Sequence, residues 1–515
     1  MNVQTDATAV TDWGPFGRPL FDDPHSRSLS RVGVVDVGSN SVRLVVFDGA
    51  ARSPAYFYNE KIMCGLGAGL GDTGRLNASG RARALAALKR FKLLSQGLGL
   101  EDLTVIATAA VREADDGPEF CQEVADQTGL TIHVIDGEEE ARLSAQGVLL
   151  GWPGSYGLIC DIGGSSMELA EISDGQVGRR VSSDLGPLKL QALKGGRRAR
   201  VAHIRDTIAG LSETMGRQRD RLFLVGGSWR AIARVDMYRK GYPLRVLHEY
   251  RMTRGSVSNT LKYLRDHEDH AQLRIACGIS STRMGLLPSA ADVLSRLVKT
   301  FKPQDIAVSA YGIREGLLYE QMSDELRDRD PLIESCYFAE SKDARLPGFG
   351  RQLYDFILPI FKSVPRERKR LIKAACLLHD VSWRAHPDYR AEVCFDNATR
   401  ANLGGLKHSE RVYLGLALLH RYSNKREGTY FEQMLTLLTE KDVSEAEAVG
   451  KAMRFGAMLW TQRDVDHGAF RWFPKKRQLE FRLTKASEGL YGEVAEARLK
   501  SLASSLDADL VVKVR

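Results

Sequence analysis

Two stretches of this chain repeat one pattern, and that repetition limits the fold more than any other feature of the sequence. Residues 32–46 and 157–170 each run from an apolar strand into an acid, then glycine, small hydroxyl residues and a second apolar strand. The first turn reads Asp36-Val37-Gly38-Ser39-Asn40-Ser41, and the second reads Asp161-Ile162-Gly163-Gly164-Ser165-Ser166. This is the pattern of a β-hairpin whose tight turn presents backbone N–H groups, a geometry suited to phosphate. Two such hairpins about 125 residues apart imply two related α/β halves, each opening on its hairpin, with the turns facing one another across a cleft. Asp161 and Glu168 bracket the second turn, so a hard cation such as Mg²⁺ could sit between these carboxylates and phosphate oxygens while keeping most of its water.

Further motifs follow in a fixed order. They are Ala107-Thr108-Ala109-Ala110-Val111-Arg112, Gly137-Glu138-Glu139-Glu140-Ala141-Arg142-Leu143, Val225-Gly226-Gly227-Ser228 and Ile313-Arg314-Glu315-Gly316. Together with the two hairpins, they resemble the exopolyphosphatase and guanosine pentaphosphate phosphohydrolase family, across roughly residues 31 to 320. That family belongs to the actin-like, sugar-kinase-like ATPase superfamily. The resemblance implies two ribonuclease-H-like domains flanking a cleft, residues 31–137 and 138–322, and a habit of dimerising. It also implies that Glu140 is the catalytic glutamate. Two positions depart from the family pattern: Ser165 stands at the usual third glycine and Met167 at the usual threonine. A serine at a position needing positive φ would strain the turn, and methionine offers no hydroxyl to phosphate.

Read in order, the chain supports this placement of the motifs. Residues 1–30 read as an extension without the basic-then-apolar order of a secretory signal. Leu103 to Ala107 reads as a buried strand, which puts Arg112 just past a strand end, where an open α/β sheet binds ligands. There its guanidinium could grip phosphate in a bidentate fashion, or pair with Glu113 or Asp115. Glu138, Glu139 and Glu140 open a helix, where acids complement the dipole. Crowded carboxylates also have raised pKa values, as suits a base for water. Gly226 and Gly227 end a further strand and give a turn that could cradle a phosphate or a guanosine.

From about residue 325 the texture changes to amphipathic helices. His379-Asp380 resembles the helical metal-dependent phosphohydrolase domain named for that dipeptide, but no histidine occurs between residues 271 and 378. The segment 325–515 therefore reads as a degenerate, metal-free relative, ending in a small strand-containing cap around residues 471–483. The composition, 43% apolar and 27% charged, is that of a soluble globular protein, and no apolar run is long enough to cross a bilayer. The seven cysteines show no paired metal-ligand spacing and point to a reduced cytosol. Net charge is +8, yet basic residues cluster at Arg366, Arg368, Lys369 and Arg370 and again at Lys475, Lys476 and Arg477. These clusters read as a track for a polyanion, with polyphosphate favoured over nucleic acid.

The expected activity is removal of the terminal phosphate of inorganic polyphosphate by water, with Mg²⁺ or another divalent cation at Asp161 and Glu168. Ser39, Asn40, Arg112, Gly163, Gly164 and Ser166 would bind phosphate, Glu140 would act as base, and Asp36, Gly226 and Gly227 would support them. The first rival is the same clamp acting on guanosine pentaphosphate. A kinase or chaperone ATPase of the same superfamily, and a non-catalytic sensor, are the others. The expected assembly is a homodimer in the cytoplasm.

Overall fold

The structure, a computed structural model, describes residues 27–100, 103–216, 220–267, 269–425, 428–460 and 462–515. Nearly all of the N-terminal extension read from the sequence lies outside the described residues. The chain divides into two compact units, one comprising residues 27–240 and 250–328, the other Gly241–Glu249 with Arg329–Arg515.

The first unit is built on two mixed sheets. Strands β1 (Ser28–Val37), β2 (Ser41–Ala50), β3 (Ser53–Met63), β4 (Leu103–Ala107) and β5 (Ile132–Val134) form a sheet of order β3-β2-β1-β4-β5. Strands β6 (Gly157–Ile162), β7 (Met167–Ser173), β8 (Gln176–Ser183), β9 (Arg221–Val225), β10 (Tyr250–Met252) and β11 (Asp305–Val308) form a second sheet of order β10-β11-β9-β6-β7-β8. Setting aside β10, the second order repeats the first: a three-stranded antiparallel meander followed by two parallel strands. The apolar runs of β4 and β6 are buried throughout because each lies inside its sheet with both faces covered. The two motif hairpins are β1–β2 and β6–β7. Their turns close alike, with Gly38 N–H donating to Ser41 O at 3.1 Å and Gly163 N–H to Ser166 O at 3.0 Å.

Two helices cross in contact in this unit, Gly137–Gly151 and Ile313–Glu320. The first starts where Asp136 accepts the Glu139 N–H at 2.8 Å, a side-chain cap that satisfies one orphan donor. The second starts where the Glu315 carboxylate accepts the Gly312 N–H at 2.8 Å. The crossing is backbone against backbone: a Cβ on Gly316 would lie 1.8 Å from Leu143 O, and one on Gly147 would lie 2.2 Å from Gly312 O. Arg142 reinforces it by bridging Glu139 and Glu320, each at 2.6 Å. The buried Arg52 caps the first helix by donating to Leu150 O at 2.8 Å.

The second unit is mainly helical. Its helices include Pro331–Asp343, Phe349–Ile357, Arg366–Leu378, Arg390–Arg400, His408–His420 and Glu440–Leu459. It also holds β12 (Gly468–Phe473), β13 (Gln478–Leu483) and β14 (Asp509–Val514), with β13 in the middle. Helices and sheet share one apolar core in which Phe356, Phe455, Trp460, Phe470 and Phe481 meet ring against ring. Lys475, Lys476 and Arg477 sit in the turn between β12 and β13, where Arg477 takes φ 46°. Asp330 caps the helix after it, with Pro331 at the first position, where a missing N–H costs nothing.

His379 and Asp380 follow the helix Arg366–Leu378 and are both buried. Asp380 is gripped by Arg345, with Nη2 at 2.6 Å from Oδ1 and Nε at 2.9 Å from Oδ2. The His379 Nδ1 lies 2.8 Å from Cys376 O, and its own carbonyl accepts the Tyr422 hydroxyl at 2.9 Å.

Burial and the nearby Arg421 guanidinium lower the His379 imidazole from 6.5 to about 4. Between these values the unfolded chain carries a proton that the folded chain refuses. The stabilisation is thus complete above the unfolded value and is lost as pH falls toward 4. His379→Gln should flatten the acid limb of a denaturation series over that window, and parallel curves for the two proteins would exclude the assignment. For the helix crossing, Gly316→Ala should lower unfolding free energy by at least about 2 kcal/mol in urea titration, because Leu143 O cannot move away without breaking its helix. Gly285→Ala, on an exposed helix face with nothing within 4 Å, serves as the control and should be neutral or stabilising. Equal losses in both would show that the crossing is not tight.

Candidate functional site

The two hairpin turns meet in the first unit. Ser165 Oγ donates to Ser39 Oγ at 2.9 Å, and a Cβ on Gly164 would lie 3.3 Å from the Ser39 Cβ. Beside this contact lies a cavity of about 180 Å³. It is lined by both hairpins, by the start of the helix after β4, by the Glu140 turn, and by the loops after β9 and β11.

Acids gather here because the register of each hairpin places them. Asp36 faces Arg43 across β1–β2, and Asp161 faces Glu168 across β6–β7. Directly opposed residues share a sheet face, so Asp161 and Glu168 are close carboxylates. Glu140 approaches from the helix Gly137–Gly151, and it too is buried. Burial first, and then the Glu168 and Asp161 charges, hold the Glu140 carboxyl well above its ordinary range. Glu168 is pushed up to about 8 by burial and by Asp161. Asp161 is raised by burial, although Ser144, one helical turn beyond Glu140, donates a short hydrogen bond to it. Glu140 Oε2 and Glu168 Oε2 are buried without a hydrogen-bond partner.

Cations face these acids. Arg43, Lys61, Arg230, Arg283 and Arg314 all line the cavity. Arg314 Nη1 lies 3.4 Å from Asp36 Oδ2, Arg43 donates to Asn59 at 2.8 Å, and Arg283 donates to Ser228 Oγ at 3.1 Å. Gly227 makes room for the last of these, since a Cβ there would lie 2.6 Å from the Arg283 guanidinium. Burial, and then Arg283 and Arg43, lower Lys61 to about 8. Burial and Arg314 lower Arg43 to about 10. Cations held so close together lack carboxylate partners sufficient for their number, which is the electrostatic signature of an anion site.

Of the residues picked out from sequence, Asp36, Ser39, Asn40, Glu140, Asp161, Gly163, Gly164, Ser166, Gly226 and Gly227 line this cavity. Glu168 sits behind Asp161, with Oε1 accepting from Ser182 Oγ at 3.0 Å. Arg112 is not among the lining residues; it donates to Ile135 O at 2.8 Å and lies 3.5 Å from Glu140 Oε2. Ser165 is absent from the non-glycine residues of positive φ, so its turn carries no strain of that kind. Met167 is fully buried in the sheet. In the second unit, Arg368 pairs with Asp442 and Glu445 and lies over the Tyr413 ring, and Arg370 pairs with Asp330. Arg477 pairs with Asp507 at 2.6 Å. Arg366, Lys369, Lys475 and Lys476 have no ion pair among the described residues.

The five lining cations were assigned no role from sequence. Arg43 and Arg314 lay inside quoted motifs and could have been found by following strand alternation and the helix start. Lys61, Arg230 and Arg283 come from three distant elements, and nothing in their sequence neighbours marks them.

The oxygens available for a divalent cation are the carboxylates of Asp161, Glu168, Glu140 and Asp36. The donor set fits: all are hard oxygens, two carry partnerless buried atoms, and their crowding is relieved by positive charge. Among the described residues no three of His, Cys, Asp and Glu form a metal cage. An ion here would therefore keep water or take oxygens from a ligand, as Mg²⁺ does.

Comparison with known proteins agrees with this geometry. Residues 45–325 match the Ppx/GppA phosphatase family, and residues 344–510 match the C-terminal region of exopolyphosphatase. The chain is 26% identical to retrograde regulation protein 2 of Saccharomyces cerevisiae, covering 82% of this chain and 78% of the relative. It is 27% identical to exopolyphosphatase 1 of Mycobacterium bovis, over 59% and 92% of the two chains. It is 25% identical to the guanosine-5'-triphosphate,3'-diphosphate pyrophosphatase of Aeromonas salmonicida, over 67% and 72%. An exopolyphosphatase structure from Cytophaga hutchinsonii superposes with TM-score 0.52 at 22% identity, covering 57% of this chain and 98% of that one. The Aquifex aeolicus Ppx/GppA family member superposes with TM-score 0.50, also at 22% identity, over 58% and 99%. These two likenesses give a mixed α/β fold shared with Ppx/GppA proteins. With the first family match spanning more than half of the 515 residues, the chain belongs to the Ppx/GppA phosphatase family.

Proposed function

We propose that this chain is an exopolyphosphatase, releasing the terminal phosphate of inorganic polyphosphate by attack of water. The observation that carries this reading is the buried Glu140 carboxylate, whose Oε2 accepts no hydrogen bond, on a small cavity lined by five cations. Phosphoryl transfer asks for charge neutralisation and for an aimed nucleophile more than for covalent chemistry. Arg43, Lys61, Arg230, Arg283 and Arg314 take the anionic chain, and the hydroxyls of Ser39 and Ser166 donate to the terminal group. Glu140 orients a water and takes its proton as the new P–O bond forms and the anhydride bond breaks, leaving the shortened chain with the departing oxygen. Arg112, 3.5 Å from Glu140 Oε2, favours the ionised form of that carboxylate. A Mg²⁺ ion at Asp161 and Glu168 supplies further positive charge to the phosphate oxygens when bound.

Polyphosphate is preferred to guanosine pentaphosphate because the cavity wall is rich in cations, glycines and hydroxyls, with Tyr311 as the single aromatic ring among its lining residues. A guanine base would find little to stack on there. The second unit is read as a degenerate relative of the metal-dependent phosphohydrolase domain. Its dipeptide is taken up internally, Asp380 by Arg345 and His379 by Cys376. Its role in this reading is electrostatic, through Arg366, Lys369, Lys475 and Lys476, while Arg368, Arg370 and Arg477 are engaged in ion pairs. The protein acts as a homodimer in the cytoplasm on this reading.

Glu140→Gln keeps the shape and removes the proton acceptor. Phosphate release from long polyphosphate should fall by roughly 10² to 10⁴ while binding persists, and near-native turnover would overturn the assignment. The unaltered chain, assayed in parallel on guanosine pentaphosphate with and without Mg²⁺, should prefer polyphosphate; the opposite preference would transfer the function to the nucleotide. Converting Lys369, Lys475 and Lys476 to Glu should weaken long-chain binding and reduce its salt slope, since each engaged cation releases a counterion. Short-chain turnover should hardly change, and equal losses on short and long chains would refute the electrostatic role.

A further inference from the structure

Ser165 occupies the place where the family pattern has a third glycine, so its hydroxyl is an addition in this chain's second hairpin. That hydroxyl has one destination. Ser165 Oγ donates to Ser39 Oγ at 2.9 Å, and both residues are buried, 4% and 5% exposed. The Ser165 backbone is held firmly from three sides. Gly163 N–H closes the turn onto Ser166 O at 3.0 Å, and Gly164 O accepts the Leu188 N–H at 2.9 Å. Gly186 passes so close that a Cβ on it would lie 2.1 Å from the Ser165 carbonyl carbon. Ser39 is anchored too, its carbonyl accepting the Gly67 N–H at 2.8 Å.

The two serines differ in what they face. Ser39 lines the cavity and Ser165 does not. A hydroxyl has one proton and two lone pairs. With one lone pair of Ser39 occupied by the Ser165 proton, the proton of Ser39 remains for a partner in the cavity. Hydrogen bonds in such a chain polarise one another, and the effect grows where water is excluded. We propose that Ser165 is a positioning residue: by donating to Ser39 Oγ it turns the Ser39 hydroxyl proton toward a phosphate oxygen in the cleft. The ligand class is a phosphoanhydride anion, and the inference rests on the hydrolase reading above. No proton is transferred; the hydroxyl only keeps its direction, so the cost of orienting it is met before the anion arrives.

The test is a double-mutant cycle of Ser165→Ala and Ser39→Ala in the full chain. It is read as affinity for inorganic pyrophosphate by calorimetry and as KM for polyphosphate. Ser165→Ala, and equally Ser165→Gly, should weaken pyrophosphate binding by roughly three- to tenfold and raise KM in step. In the Ser39→Ala background the same change should add less than about twofold, because Ser165 acts through Ser39. A role in holding the loops together alone would lower the melting temperature and leave affinity untouched, which overturns the proposal. So does a Ser165→Ala effect that persists in full without the Ser39 hydroxyl, and so does a wild-type chain that binds no pyrophosphate. If the wild-type chain binds pyrophosphate but releases no phosphate from polyphosphate or guanosine pentaphosphate, the hydrolase reading fails by itself, and the binding cycle still decides the relay.

Discussion

The cavity between the hairpins depends on one steric constraint, the contact of two helix backbones at Gly147 and Gly316. The helix Gly137–Gly151 carries Glu140 and Ser144, and the helix Ile313–Glu320 begins with Arg314 and Glu315. With any side chain at Gly316 the helices would have to separate, since the added carbon would sit 1.8 Å from Leu143 O. Their separation would move Glu140 away from Asp161 and Arg314 away from Asp36. The Tyr56 hydroxyl adds a polar tie from β3, donating to Glu315 at 2.7 Å. Site geometry is thus set by packing several residues away from the reacting groups, and a misplacement of about 1 Å would be costly there.

The crossing and the register of the second hairpin together produce unfavourable electrostatics. Carboxylates at Glu140, Asp161 and Glu168 are brought together in a place from which water is largely removed, and each is displaced toward its neutral form. On the other wall burial lowers the pKa of Arg43, Lys61 and Arg230, which displaces these cations toward their neutral forms as well. Neither set gains from folding, because burial of a charge without full pairing is costly. On the proposed reading, an anion bound among these cations and a cation bound among these acids would offset that cost. A carboxyl held above its ordinary range by burial and neighbouring acids is a better proton acceptor than a free one, the property that the base proposed at Glu140 requires.

Legibility in the sequence followed the distance between cooperating residues. The hairpins could be read because strand, acid, glycine, hydroxyl and strand are consecutive, and their register then fixes Asp161 opposite Glu168. The repeated sheet order follows from the same local pattern, seen twice. Strand β3 was missed: nine of its eleven residues are partly or fully exposed, so it lacks the apolar run that marked the buried strands. Charge was harder to read. Runs such as residues 366–370 are conspicuous along the chain, yet Arg368 and Arg370 are spent on Asp442, Glu445 and Asp330. Lys61, Arg230 and Arg283 are single cations in unremarkable neighbourhoods, and only the fold brings them to one cavity. Sequence shows where charge is dense, whereas binding needs charge left without a partner.

Ser165 illustrates how a departure from a family pattern is best weighed. Judged by backbone preference, serine in place of glycine predicts a strained turn. The turn has no positive φ at that position, so the glycine of relatives is not required there by conformation. What the position does restrict is volume, because Gly186, Leu188 and Ser39 crowd the loop on either side. A serine fits where a larger residue would collide, and its hydroxyl then finds an acceptor at 2.9 Å. Met167, the second departure, points into the sheet and is fully buried, so the loss of a threonine hydroxyl there is accompanied by a gain of apolar packing. The second loop therefore keeps the shape of a phosphate turn while changing which groups give it polarity, moving one hydroxyl from the strand that leaves the turn to the point where the two hairpins touch.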